Sequence, residues 1–425
     1  MSPKRSIDII QDGQPITKNK EDLIKKYGLS RRDIFYSYNN ETYISNFVGI
    51  VQRGNNILVS IPKHFKNINS FINAERKEKI NDIRLIMDCI RESTFDLQYS
   101  TFDETKDIDT NFPLNAYFNI YRYFSKYGLY HEEYSEIKQN NGSKISWKST
   151  LKRSMKLIVD GNLIFTPLFY KKVRNNETIV TECMISIINY TTSTLGDFFT
   201  LPDNTMIANR GINSAIFGNE TIIFKLEEIL SKTFKDINKK LIRNIITYLK
   251  GVNSIKEESL DIKYYNFANI WETAVHKYLN DHFEKIDVND HIVFTKEGSH
   301  KRFIKKPIYY NSVTKYSNWY LEPDHFLIDK DNRIVYLFDS KYYTKLLDIN
   351  HKQFMYHILY QNKYSDYRLY DSLLLPSEKD TATEEYVDIK KDLLPQGIIS
   401  QGQQPIKIYL TKLNTIDVLK NYVND

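Results

Sequence analysis

Leu321-Glu322-Pro323-Asp324 is followed, fifteen positions after its acid, by Asp339-Ser340-Lys341. The segment between them has few ways to fold. His325-Phe326-Leu327-Ile328 is a short apolar strand, and Asp329-Lys330-Asp331-Asn332-Arg333 is polar and turn-forming. Ile334-Val335-Tyr336-Leu337-Phe338 is a second apolar strand that ends in the acid. The pattern predicts a β-hairpin. Side chains alternate along a strand, so Asp339 and Lys341 share one face and Ser340 takes the other. A hairpin of this length returns Asp324 beside that face. Two carboxylates and an ammonium then converge at a strand end. Such a set suits metal-dependent phosphodiester cleavage, which needs hard oxygen ligands for Mg²⁺ and a cation near the attacking water or the scissile phosphate.

On this reading Asp324 bridges or ligates the metal and Asp339 is a second ligand. The backbone carbonyl of Ser340 offers a third oxygen. Lys341 orients or helps deprotonate the water and offsets charge on the phosphate. Mg²⁺ is the expected ion, with Mn²⁺ as its substitute. The competing reading is a surface hairpin with scattered charges. The spacing, the apolar strand directly before the second acid, and a helical pattern after Lys341 favour the site. Leu201-Pro202-Asp203 serves as an internal control: it resembles the first half of the motif, but no apolar strand ending in Asp-x-Lys follows it.

Other candidates surround this core. Glu272 lies beside Trp271, Val275 and Leu279, which form the apolar face of a predicted helix. It is either an extra carboxylate for the metal or a solvated helical acid. His276, one turn on, reads as an ordinary surface or core residue. Gln353, on the helix after the hairpin, either binds the DNA backbone or the water, or packs. Tyr356 and Tyr360 read chiefly as packing. Lys296, Lys301, Arg302, Lys305 and Lys306 lead into the hairpin, as phosphate contacts or as a solvated charged segment.

Composition narrows the class. The chain has 425 residues, enough for two or three domains with real cores. No apolar run approaches the roughly 18–20 residues of a membrane span, and Met-Ser-Pro-Lys-Arg-Ser does not open a secretory signal. Only Cys89 and Cys183 are present, too few for a zinc site of their own, and the expected location is a reducing cytoplasm. A net charge of +6 permits nucleic-acid binding without arguing for it. The 32 tyrosines fit codon bias in an AT-rich genome better than a set of base-stacking platforms.

The expected fold class is α+β or α/β: a β-rich N-terminal module, a helical middle region and a C-terminal αβ core. Residues 1–255 form the first domain and 256–425 the second, with a boundary near Gly251–Leu260. A short helix is expected at Lys20–Tyr27. Tyr43–Val51 and Ile57–Ile61 read as hairpin strands around Arg53-Gly54-Asn55-Asn56. Ile72–Glu92 reads as a helix, Lys138–Ser143 as a polar loop, and 157–171 as strands. Thr178–Phe199 and Ile222–Leu249 read as helices. The C-terminal part reads as a helix over 266–283, strands near 291–310, the hairpin, a helix over 349–364 and a strand at Tyr370–Pro376. Ser377–Lys391 reads as an acidic loop, Ile406–Leu410 as a strand and Thr415–Val423 as a helix.

Trp271-Glu272, Pro323-Asp324, Asp339-Ser340-Lys341 and Lys352-Gln353 together resemble the PD-(D/E)xK nuclease superfamily. Phe47-Val48-Gly49-Ile50 through Ile61-Pro62-Lys63 resembles the N-terminal β module of McrC-type restriction subunits. Ile145-Ser146-Trp147-Lys148-Ser149-Thr150 is similar to a signature of the McrC-like LlaJI restriction endonuclease family. The resemblance runs from about residue 40 to 420. It implies a restriction-endonuclease-like core that cuts double-stranded DNA and works with a separate McrB-like GTPase. No G-x-x-x-x-G-K-[ST] loop is present, which agrees with the nucleotide being hydrolysed by a partner. Cutting both strands calls for two active sites and hence a dimer. In this superfamily a tyrosine often follows the helical glutamine by four positions; here that position holds His357. Two further readings remain: a stand-alone repair or recombination nuclease, and a non-catalytic assembly factor that stimulates a partner NTPase.

Overall fold

The computed structural model describes residues 6–16, 20–38, 41–96, 107–140, 144–201, 204–255, 259–296, 298–346, 350–389 and 406–424. Residues 1–5, 141–143 of the polar loop, 202–203 of the control motif and 390–391 of the acidic segment lie outside them. The fold is mixed α+β. The chain divides into two units, one from Met1–Thr110, Asp197–Thr200 and Glu257–Asp425, the other from Asn111–Gly196 and Leu201–Lys256. No helix among the described residues is long and apolar enough to cross a membrane.

The first unit contains two five-stranded sheets. In one, the strand order is Ser6–Gln11, Asn56–Ile61, Val48–Arg53, Ser259–Tyr264, Ile108–Thr110. Sequence puts the tight hairpin at the centre: Gly54 takes φ 57°, as its turn requires. Gly49 matters for a different reason. It faces Lys263 across the ladder, and a Cβ there would meet the carbonyl oxygen of Ile262 at 2.1 Å. Tyr43–Val51, expected as one strand, is two, Thr42–Ser45 and Val48–Arg53, because the first pairs with Ile34–Ser37 and the second enters the sheet.

The other sheet runs His325–Asp329, Ile334–Ser340, Arg368–Ser377, Lys407–Asn414, Ala382–Asp388. The first pair is antiparallel, and the next two ladders are parallel. Helix His351–Lys363 makes the crossover between the parallel strands Ile334–Ser340 and Arg368–Ser377, as parallel pairing demands. Phe326, Val335 and Leu337 pack with Tyr356 and Tyr360 of that helix. On the opposite face, Phe283 and Phe303 meet Tyr336 and Phe338 edge-on or stacked. Helix Phe267–His282 presents Ile270, Trp271, Ala274, Val275 and Leu279 to the interior, all fully buried. Trp271 Nε1 donates to the carbonyl of Leu374 at 3.5 Å.

Two expectations are corrected. The acidic segment Ser377–Lys391 contains the edge strand Ala382–Asp388. Its acids are matched by lysines of the neighbouring strand, Lys412 to Glu384 at 2.8 Å and Lys407 to Glu385 at 3.3 Å, so charge that reads as loop sits in a ladder. The helix expected over 222–249 is two, Glu220–Lys232 and Asp236–Asn253. Thr233 takes an extended conformation at the break, and the halves pack on each other, with Lys250 paired to Glu227 at 2.9 Å. Folding back lets each half cover the other's apolar stripe. In the same unit, Ile179–Leu195 is a nearly all-buried helix opened by a Thr178–Thr181 capping box. Cys89 and Cys183 are buried free thiols.

Candidate functional site

The hairpin register pairs His325 with Phe338 and Asp329 with Ile334. Continued by one residue, it sets Asp324 opposite Asp339. Asp329 closes the turn by accepting from the Asn332 backbone N–H at 3.1 Å and its side-chain amide at 3.0 Å. Asp324 Oδ2 accepts the backbone N–H of Ser340 at 2.8 Å. The sequence features that predict a hairpin therefore also juxtapose the two acids.

The Asp339 side chain is 1% exposed. Its Oδ2 forms an ion pair with Lys341 Nζ, and neither of its oxygens has a hydrogen-bond partner among the described residues. Asp324 is half-buried beside it. Burial, then the Asp339 charge, then the Glu272 charge push its pKa up to about 7, against the opposing pull of Lys341 and the Ser340 N–H. Like charges set opposite one another across a ladder repel. Here one lysine offsets two carboxylates.

Ser340 contributes through its backbone and through its hydroxyl, which lies 2.7 Å from His325 Nε2. His325 Nδ1 in turn faces His276 Nδ1 at 3.1 Å. Burial first, then His276, Lys305 and Lys341, drive the His325 pKa far down, so this ring is neutral. His276 is thus no plain surface residue but the outer member of a histidine pair behind the strand.

Glu272 binds Lys305 at 2.5 Å. It is close enough to Asp324 to raise its pKa, yet among the described residues no three His, Cys, Asp or Glu side chains are grouped to hold a metal. Gln353 is fully buried on the crossover helix, where the Asn350 side chain caps its N–H at 3.1 Å. Its Nε2 donates to Asp371 Oδ1. Tyr356 and Tyr360 are buried, and their hydroxyls donate to the carbonyls of Glu322, at 2.5 Å, and Lys306. Tyr356 anchors the segment that carries Asp324, and Tyr360 anchors the basic segment. In the basic segment, Lys301 pairs with Asp329 at 2.5 Å, Arg302 donates to the Asn280 carbonyl at 2.8 Å, and Lys306 lies over Phe326 at 5.4 Å. Lys301 and Lys306 thus meet the hairpin, and Arg302 and Lys305 meet helix Phe267–His282.

Sequence reasoning passed over Asp371. It is fully buried in Arg368–Ser377 and is bound on its other oxygen by His357 Nδ1 at 3.1 Å. The available signal was an acid inside an otherwise apolar strand, Leu369-Tyr370-Asp371-Ser372-Leu373-Leu374.

Neither a family model nor a curated protein matches the chain. A similar solved structure is a refined half-complex from a tetradecameric assembly of Thermococcus gammatolerans McrB AAA+ hexamers with bound McrC, at TM-score 0.41 and 11% identity over 98% of both chains. A likeness of that size establishes neither a fold nor an activity.

Proposed function

We propose that this chain is a Mg²⁺-dependent DNA endonuclease subunit of a restriction system of the McrBC type. One observation carries the reading: Asp324 and Asp339 converge at a strand end with Lys341, and Lys341 is the one partner of the buried Asp339 carboxylate among the described residues. A buried carboxylate with a single lysine as its partner is costly, and a second acid opposite it adds to the cost. A divalent cation held by Asp324 and Asp339 relieves both, so these residues fit such an ion. The Ser340 carbonyl is a further hard oxygen at the same strand end.

When bound, the ion supplies a Lewis acid that makes water a better nucleophile and offsets phosphate charge. The remaining roles belong to the chain. Lys341 Nζ, held at Asp339, orients the attacking water and neutralises charge gathering on the phosphate. The Ser340 N–H fixes the Asp324 carboxylate, and the Tyr356 hydroxyl anchors the segment in front of it. Glu272 and Lys305 add a balanced pair at the margin. The McrB-like GTPase partner and double-stranded DNA as substrate rest on the sequence resemblance, as does dimerisation for cutting both strands.

Plasmid cleavage by the purified chain and its Asp339→Ala variant, in Mg²⁺ or EDTA, with and without the GTPase and GTP, tests this. Metal-dependent cutting that vanishes in the variant and requires the partner is the expected result. Equal cutting by Asp339→Ala removes the site assignment. Cutting without any partner points to a stand-alone nuclease. Stimulation of the GTPase with no cleavage of cognate DNA points to an assembly factor.

A further inference from the structure

Behind the two acids lies a second buried polar group. Asp371 faces Leu337 in the parallel ladder, and Asp339 lies two residues beyond Leu337 on the same strand, so both acids project from one face of the sheet. Asp339 is near enough to act electrostatically on Asp371. Gln353 and His357, one helical turn apart, reach that face and take one Asp371 oxygen each. All three side chains are at least 98% buried.

The hydrogen bonds show which atoms are left over. His357 meets Asp371 through Nδ1, so its Nε2 is the ring nitrogen left over. Gln353 spends its amide nitrogen, so its Oε1 is an acceptor. Among the described residues both atoms are buried without a partner, as are the two Asp339 oxygens apart from Lys341. Buried polar atoms left unsatisfied in this way call for a missing group. The Gln353 oxygen can only accept, and on the face that carries Asp339 a cation is the group that satisfies it.

We infer that Asp371 and His357 are positioning residues that hold the Gln353 carboxamide with its oxygen free, and that this oxygen is a neutral ligand completing the Asp324–Asp339 site for a divalent cation. The inference rests on the metal-site reading given above. It gives His357, which stands where a tyrosine is common, a role of its own: with Asp371 it sets the orientation of the amide. Asp371→Asn tests this because an asparagine can donate to Gln353 Oε1, which turns the carboxamide and takes its oxygen away from the site.

The experiment is Mn²⁺ binding to the full chain without DNA, followed by calorimetry and by the Mn²⁺ electron paramagnetic resonance signal. Wild type, Asp339→Ala, Asp371→Asn, Gln353→Leu and the Asp371→Asn/Gln353→Leu double variant are compared, each with its thermal midpoint. Loss of a residue supporting a metal ligand typically weakens binding about 10- to 100-fold. Asp371→Asn and Gln353→Leu are each expected to weaken Mn²⁺ binding by about 10-fold, and the double variant no more than Gln353→Leu. Wild-type affinity in Gln353→Leu overturns the inference, and that variant decides alone where Asp371→Asn does not fold. A lowered thermal midpoint with unchanged Mn²⁺ affinity makes the cluster purely structural and also overturns it. If Asp339→Ala binds Mn²⁺ as wild type does, the metal-site reading itself fails. If Asp339→Ala loses the ion while the Gln353 and Asp371 variants keep it, only the present inference fails.

Discussion

Asp33 and Asp339 are both fully buried carboxylates with a lysine beside them, and their surroundings are opposite in kind. Asp33 accepts the Ser30 N–H at 2.6 Å, the Tyr265 hydroxyl at 2.7 Å and Lys263 Nζ at 3.0 Å. Burial alone would raise its pKa, but these donors outweigh burial and hold it below the ordinary value. Lys263 is itself almost fully buried. At the second site Asp339 has Lys341 and no other partner among the described residues, and a further acid sits opposite. The first cluster is closed: each charge meets its complement, and the turn before strand Ile34–Ser37 is tied to strand Ser259–Tyr264. The second is short of positive charge and donors, a deficit that the proposed metal ion would make up. A buried charge that is satisfied reads as structure, and one that is not reads as a site.

The largest effect expected from this contrast is on activity. Asp339→Ala and Lys341→Ala should each lower DNA cleavage by about 10³-fold or more in a plasmid assay, because both act on charge in the transition state. Asp339→Ala should not lower the thermal midpoint much, since it removes one of two opposed carboxylates, whereas Lys341→Ala leaves Asp339 buried without its cation and should lower it. A collapse of Asp339→Ala on purification would place this acid with Asp33 as a structural charge.

The closed cluster should behave the other way. Lys263→Met leaves Asp33 buried with its cation gone and should destabilise the chain by about 3–5 kcal/mol. Chemical denaturation measures this directly. A loss below about 1 kcal/mol would show that the pair is dispensable.

A smaller effect, with a definite sign, belongs to Asp324. Its folded pKa of about 7 lies above its unfolded value, so the proton stabilises the native state. That stabilisation is complete below about pH 4 and disappears as pH rises through about 7. Asp324→Asn, neutral at every pH and able to keep the Ser340 hydrogen bond, should therefore raise the thermal midpoint at pH 8 by roughly 2–4 °C. At pH 5 the gain should be smaller. Mg²⁺ should reproduce much of the pH 8 gain in wild type and little of it in Asp324→Asn. Equal midpoints at both pH values would mean that the acids do not repel.

Lys305→Ala should have the smallest effect. The Lys305–Glu272 pair is largely exposed, and its loss should change stability by less than about 1 kcal/mol. The unpaired Glu272 should then move the Asp324 titration upward, which carboxylate chemical shifts across pH would register.

Much of this was legible locally. Alternation and turn chemistry in residues 324–341 predict the hairpin, and its register predicts that Asp324, Asp339 and Lys341 meet. The helices at 267–282, 351–363 and 415–423 follow from apolar spacing. Three features were not legible. Strand Ala382–Asp388 is stabilised by lysines about 25 residues further along the chain. The break at Thr233 reflects packing of two helices rather than a Gly or Pro signal. Asp371 gains meaning only from the helix that crosses over it.

By itself the sequence determined the short-range elements: which segments alternate, where turns fall, and that two acids and a lysine share a strand end. Those properties depend on neighbours a few positions apart. Tertiary structure alone decided that strand Ser259–Tyr264 joins the N-terminal sheet, that Glu272 is held by Lys305, and that Gln353 is bound to Asp371. Each of these is a choice among distant partners. It is settled by which buried polar groups can satisfy one another once the chain has closed, and no local pattern encodes that.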